Sequence, residues 1–244
     1  MIEKIYFNDN EYVEFDIPEE GNIGSFMSGG ADSSLMCYIL AHTIKKHNLK
    51  TEIYPITAEF LQRPYNLRCA YDVVKKVSEL TGFRFNLHNC FIIPNHIEPV
   101  SDDEKVVIMG NYTRTYANCF RLKTVFNGLT ANPPVENVSD THFAKRQKCR
   151  DDLEWRKEQQ SKDGLTVPFI NIDKKTIAAL YKKFDLLDSL LPLTRSCEAE
   201  MEETHYFTKD CFEIKPKGEE CWWCKERAYG FGDYLDYYNV NSRH

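Results

Sequence analysis

Apolar positions along this chain switch between two spacings, and the switching itself predicts an architecture. Ile2 to Ile17 reads as two short strands around the turn-prone Asn8-Asp9-Asn10, which predicts an N-terminal hairpin. Ile23-Gly-Ser-Phe-Met27 reads as a short buried strand, and Lys50 to Thr57 as a second. Between them Leu35, Met36, Ile39, Leu40 and Ile44 mark one face of a helix. Leu67, Ala70, Val73, Val74, Val77 and Leu80 mark another, and Thr81-Gly82 stops it. Phe83–Leu87, Val106–Met109 and Val167–Ile172 predict further strands, with a last helix over Lys174–Phe184. Strands alternating with helices imply an α/β fold: a parallel, doubly wound sheet with helices on both faces. Sites in such sheets lie at the carboxyl ends of strands, where Ser28-Gly29-Gly30 falls.

Residues 132–164 break the rhythm with a nearly all-polar stretch. It reads either as a mobile lid carrying Lys145, Arg146 and Arg150 to phosphates, or as a solvated helix on the rim. Charge runs more often do the second. The composition, 42% hydrophobic and 28% charged over 244 residues, suits one large domain or a domain with an appendage. No apolar run approaches the ~18 residues of a membrane span, and the first residues lack the order of a secretory signal. A cytoplasmic protein with no membrane partner is the expectation. A net charge of −6 weighs against sequence-independent nucleic-acid binding, so nucleic acid is not expected as a direct substrate. The nine cysteines do not form a disulfide framework, being odd in number and irregular in spacing. Cys37, Cys69, Cys90, Cys119 and Cys149 read as small hydrophobes.

The segment Ser28-Gly29-Gly30-Ala31-Asp32-Ser33-Ser34 carries the strongest chemistry. Two glycines between a strand and a helix permit positive φ and bring backbone N–H groups close to a ligand. The helix that follows offers unpaired N–H groups and the positive end of its dipole to an anion. The serines add hydroxyl donors. Asp32 would repel a bare phosphate, so it predicts either a bridging Mg²⁺ or a helix cap. No GxxxxGK[ST] loop occurs.

Four further cysteines lie in the tail: Cys197, Cys211, Cys221 and Cys224. The Cys221-Trp-Trp-Cys224 spacing lets two thiolates meet one metal, and the upstream pair completes a tetrahedral Zn²⁺ site. Four thiolates leave no open position for water, so such a metal would be structural. A redox pair is the other use of this spacing.

SGGADSS resembles the SGGxDS signature of the N-type ATP pyrophosphatase, or PP-loop, family. That resemblance implies a five-stranded parallel sheet, a loop gripping the pyrophosphate of ATP, and transfer of AMP to a substrate oxygen. Loop and cysteines together resemble the 7-cyano-7-deazaguanine synthase family. Glu59-Phe-Leu-Gln62-Arg63, Gly110-Asn111, Pro168 to Leu180 with Lys174, Leu193-Thr-Arg-Ser-Cys197 and Cys221-Trp-Trp-Cys224-Lys-Glu-Arg227 are similar to its segments. The resemblance implies ATP binding by Ser28, Gly29, Gly30, Asp32, Ser33, Ser34, Gly110 and Lys174. In the residues' own reading, Lys174 either steadies the leaving pyrophosphate or is an exposed lysine at a helix start.

Substrate binding would fall to Gln62, Arg63, Asn111, Arg114 and Arg121, with Phe60 and Tyr65 nearby. One of Arg63, Arg114 and Arg121 would pair with a carboxylate, or these arginines lie on the surface. The implied partners are ATP, Mg²⁺, structural Zn²⁺, a carboxylated deazapurine and ammonia, with a homodimer possible. The implied product is an amide or a nitrile. Alternatives are a relative that adenylates a tRNA base or a protein end, and a nucleotide-binding module without turnover. Cys211 stands farther from Cys221 than the family's spacing, with His205 as rival ligand. The stretch after Asn111 departs from the family's Gly-Tyr-Pro-Asp-Cys. The expected organisation is a hairpin over 1–22, an ATP-binding domain over 23–190 and a zinc-binding element over 191–244.

Overall fold

The protein's structure, a computed structural model, describes residues 1–60, 65–93, 102–134, 148–197, 211–216 and 219–235. The chain opens as an antiparallel hairpin, β1 (Ile2–Tyr6) paired with β2 (Tyr12–Asp16) from Ile2↔Asp16 to Tyr6↔Tyr12. Its turn closes because Asn8 Oδ1 accepts from the N–H groups of Asn10 and Glu11, as turn asparagines do. The apolar face of the hairpin joins the main core: Phe15 is fully buried, with its ring 6.3 Å from Phe126 and edge-on to Phe169.

Five parallel strands follow, in spatial order β5-β4-β3-β6-β7. β3 is Glu20–Phe26 and β4 is Lys50–Phe60, both longer than their apolar centres suggested. β5 is Asn89–Ile93, β6 is Leu122–Phe126 and β7 is the short Leu165–Thr166. Helices α1 (Ala31–Lys46) and α2 (Asn66–Thr81) are where the 3.6-residue spacing put them, and α2 ends on Gly82 at φ 66°. Together with α5 (Lys174–Lys183, capped by Asp173) they cover one face of the sheet. Helix α3 (Asp102–Cys119) covers the other, laying Ile108, Met109 and Tyr116 on Ile56, Phe91, Ile93 and Val125. The doubly wound α/β sheet is as expected.

Three strand expectations fail. Val106–Met109 lies inside α3, because a four-residue apolar run suits a buried helix as well as a strand. Gly110 and Asn111 are therefore mid-helix and not at a strand end. Phe83–Leu87 is irregular: Phe83 and Phe85 stack edge-on at 4.9 Å against the main core, and pairing with β4 starts only at Asn89↔Ile56. Val167–Ile172 closes its hydrogen bonds locally, Ile170 N–H to the Val167 carbonyl and Ile172 N–H to that of Phe169. β6 carries the sheet instead and went unread.

The remaining helices among the described residues are short. A 3-10 turn (Lys148–Asp151) leads into α4 (Leu153–Gln160), α6 is Cys211–Ile214 and α7 is Trp222–Phe231. No helix among the described residues is long and apolar enough to cross a membrane.

Phe15→Ala should cost about 3–5 kcal/mol in urea unfolding, because the hairpin shares the core. A loss below 1 kcal/mol would show that the hairpin is an appendage.

Candidate active site

The switch point of the sheet lies beside β3. Its crossover through α1 leads to β4 on one side, while β6 flanks it on the other. The Ser28–Ser34 turn leaves β3 here and opens α1. Gly29 holds φ at +74°, and a Cβ there would stand 2.4 Å from that of Cys69 on α2, so only glycine fits. Gly30 is the extended residue preceding α1 and supplies no side-chain cap. Ser28 and Ser33 meet hydroxyl to hydroxyl at 3.1 Å, and the Gly30 N–H donates to Ser28 Oγ. Ser34 is buried and donates back to the Gly30 carbonyl at 2.7 Å, so its hydroxyl serves the turn.

Ser28, Gly30, Asp32, Ser33 and Lys174 line one cavity of about 260 Å³, closed by Asn127–Thr130 after β6. Gly29 and Ser34 shape the turn without lining it. Phe60 and Tyr65 also line it. Gly110, Asn111, Arg114 and Arg121 are exposed and do not line the cavity. The resemblance, together with a strand expected over Val106–Met109, set them at a strand end, and that segment is helical. Gln62 and Arg63 lie outside the described residues, as do Lys145, Arg146 and His205.

Lys174 is buried and not an exposed helix-start lysine. Asp173 caps α5 from the preceding position, and the helix leads Lys174 into the cavity. There Nζ donates to Asp32 Oδ2 and stands 3.5 Å from Glu226 Oε2. Asp32 is thus no helix cap; its partner is a lysine from α5. Burial pushes the Asp32 carboxyl above its ordinary value, and the Lys174 ammonium offsets this only in part. Asp32 Oδ1 is buried without a hydrogen-bond partner.

Arg150 is not on a solvated rim; it lines the cavity. It is buried, donating from Nε to the Thr130 carbonyl at 2.6 Å and from Nη2 to Thr130 Oγ1 at 2.7 Å. The same Nη2 stands 3.5 Å from Glu226 Oε1. Two residues beyond expectation complete the site: Glu226 on α7, and Arg195. The Arg195 guanidinium lies 4.7 Å over the Tyr65 ring, and its backbone N–H donates to the Gly29 carbonyl at 2.9 Å. Nothing in the sequence pairs these residues with the loop. Only their nearness to the cysteine motifs could have drawn attention to them.

The tail cysteines converge. The sulfur atoms of Cys197, Cys211, Cys221 and Cys224 all lie within 4.8 Å of one another, and Cys197 and Cys211 are 3.5 Å apart. A tetrahedral ion with bonds of about 2.3 Å sets its sulfurs about 3.8 Å apart, so this spread fits a single metal ion. Cys211 belongs to the set despite its spacing. Arg227 ties the cluster to the cavity wall, donating to Thr194 Oγ1 at 2.8 Å, Ser196 Oγ at 3.2 Å and the Leu191 carbonyl at 3.1 Å. Tyr65 adds a hydroxyl bond to the Cys197 carbonyl.

No protein-family model and no curated protein matches the sequence. Among solved structures the chain is similar to the U34-tRNA thiolase NcsA from Methanococcus maripaludis, which holds a [4Fe-4S] cluster. The identity is 13%, over 91% of this chain and 68% of that one, with a TM-score of 0.47. It is also similar to the NAD+ synthetase from Burkholderia pseudomallei, at 8% identity over 89% of this chain and 76% of that one, with a TM-score of 0.34.

Gly29→Ala should lose at least about 2 kcal/mol in denaturant unfolding, from left-handed strain plus the collision with Cys69. Elemental analysis should find about one metal ion per chain, and Cys221→Ser or Cys224→Ser should abolish it. Full metal content in both variants would show that the cluster does not hold the ion.

Proposed function

We propose that this protein is a PP-loop enzyme that cleaves ATP to AMP and pyrophosphate to activate a carboxylate, then adds nitrogen to it. One observation carries the reading. An N–H-rich glycine turn at the switch point opens into the same cavity as a buried lysine and an aspartate with an unpaired oxygen. Turn and helix start suit the β- and γ-phosphates. The substrate carboxylate oxygen attacks the α-phosphorus in line, forming an O–P bond as the bond to the pyrophosphate oxygen breaks. Lys174 and the loop N–H groups take up the charge that builds on the pyrophosphate. Positioning and electrostatics carry this chemistry, so the protein needs no nucleophile of its own. Ammonia then displaces AMP from the acyl adenylate, giving an amide and a proton.

The unpaired Asp32 Oδ1 fits a Mg²⁺ ion arriving with the nucleotide, where the metal would neutralise phosphate charge. The four thiolates fit Zn²⁺ in a closed, structural role. The substrate proposed is 7-carboxy-7-deazaguanine, converted to its amide or, with a second ATP, to the nitrile. Phe26, Phe60 and Tyr65 line the cavity and suit a flat heterocycle, and Arg195 is the cation there for a carboxylate.

With 7-carboxy-7-deazaguanine, Mg²⁺ and ammonia, ATP should yield AMP and pyrophosphate, and mass spectrometry should show the amide or nitrile. ADP and phosphate as products would overturn the assignment. AMP formation only with tRNA or a protein end would move the acceptor to a macromolecule. Asp32→Ala should reduce turnover at least about 100-fold in protein whose circular dichroism shows the fold retained, with a lowered thermal midpoint because the buried Lys174 ammonium loses a partner.

A further inference from the structure

Glu226 has no place in the chemistry above, yet it is 97% shielded and touches two cations brought by separate segments. One oxygen lies 3.5 Å from Lys174 Nζ and the other 3.5 Å from Arg150 Nη2, and Oε1 has no hydrogen-bond partner. The Lys174 ammonium sits between two carboxylates, those of Asp32 and Glu226. The four groups balance in charge, two against two. Each is supplied by a different element: the phosphate turn, α5, α7 and the 3-10 turn before α4.

The helix that carries Glu226 starts at the thiolate knuckle and lies flush on α5. A Cβ at Gly230 would stand 2.3 Å from Lys174 Cγ. The Tyr229 hydroxyl donates to Asp173 Oδ2 at 2.8 Å, and the Phe231 ring packs edge-on to Tyr181 at 5.4 Å. The registry of α7 against α5 therefore fixes where the Glu226 carboxylate meets Lys174.

On the reading that the turn takes the phosphates of ATP, both Asp32 and Lys174 must change partners when nucleotide enters. Asp32 turns to the metal ion and Lys174 to the phosphates. A buried ammonium that leaves one carboxylate needs another, because an unpaired charge in a dry pocket is costly. Glu226 is the group placed to keep it, and it holds Arg150 toward the same cavity.

We propose that Glu226 is the positioning residue for Lys174 and Arg150. It holds both cations at the mouth of the phosphate turn and so couples the thiolate-bearing element to nucleotide binding. The inference deepens the ATP-cleaving reading and rests on it.

Calorimetric titration of the full chain with Mg–ATP and with Mg–pyrophosphate tests it, on wild type, Glu226→Gln, Lys174→Gln and the double variant. Glu226→Gln should bind both ligands about tenfold more weakly or worse, with metal content retained. Glu226→Asp, which keeps the charge, should recover part of that loss. The losses of Glu226→Gln and Lys174→Gln should not multiply in the double variant, because one acts through the other. A merely structural role would give multiplying losses and a lowered metal content. Wild-type affinity in Glu226→Gln, or losses that multiply, would overturn the proposal while leaving the nucleotide site intact. Should Glu226→Gln fail to fold, Glu226→Asp takes its place in the cycle, read by the same criterion. A wild-type protein that binds neither ligand would overturn the ATP reading itself, which separates the two failures.

Discussion

Two carboxylates and two cations share one pocket beside the Ser28–Ser34 turn, and the fold around them is shaped by the need to keep them together. Removing one member of such a group strands a buried charge, which costs more than an intact pair contributes. Asp32 comes from the first turn of α1, Lys174 from that of α5, Glu226 from α7 and Arg150 from the 3-10 turn after β6. Four chain segments far apart in sequence must therefore dock on one point. The Tyr181 hydroxyl, donating to the Ala31 carbonyl at 2.8 Å, locks α5 to α1 at the same place.

The network also sets the state in which the site waits. Burial destabilises the Asp32 carboxylate, one of its oxygens lacks a partner, and its lysine is shared with Glu226. On the proposed reading, a phosphate with its metal ion would relieve each of these at once. It would give Asp32 a cation and Lys174 an anion beside the Ser28–Ser34 turn. Preorganisation of this kind costs stability in the empty protein and returns it when charge arrives.

The thiolate cluster stands outside the chemistry but inside the architecture. Small thiolate zinc sites release about 10–16 kcal/mol on binding, while whole domains are net stable by about 5–15 kcal/mol. The four cysteines border the wall of the cavity: Arg195 and Ser196 precede Cys197, and Glu226 follows Cys224. Arg227 fastens the two halves through Leu191, Thr194 and Ser196.

The phosphate turn, α1, α2 and the cysteine set were legible in the sequence because each depends on neighbours along the chain. A glycine pair between a strand and a helix, a 3.6-residue period and a Cys-x-x-Cys knuckle are local patterns. Val106–Met109 was not legible, since a short apolar run fits a strand or a buried helix equally, and only the apolar sheet face at Ile56 and Val125, which the helix covers, chose the helix. That choice moved Gly110, Asn111, Arg114 and Arg121 away from the site. Arg150 reversed from a solvated charge to a buried one for the same kind of reason. A charge run says nothing of the Thr130 carbonyl and the Glu226 carboxylate that wait for one of its members. The sequence by itself determined the glycine turn between strand and helix and the four cysteines that could hold a metal ion. Tertiary structure alone decided which charges face them, because ion pairing between distant segments obeys no period along the chain.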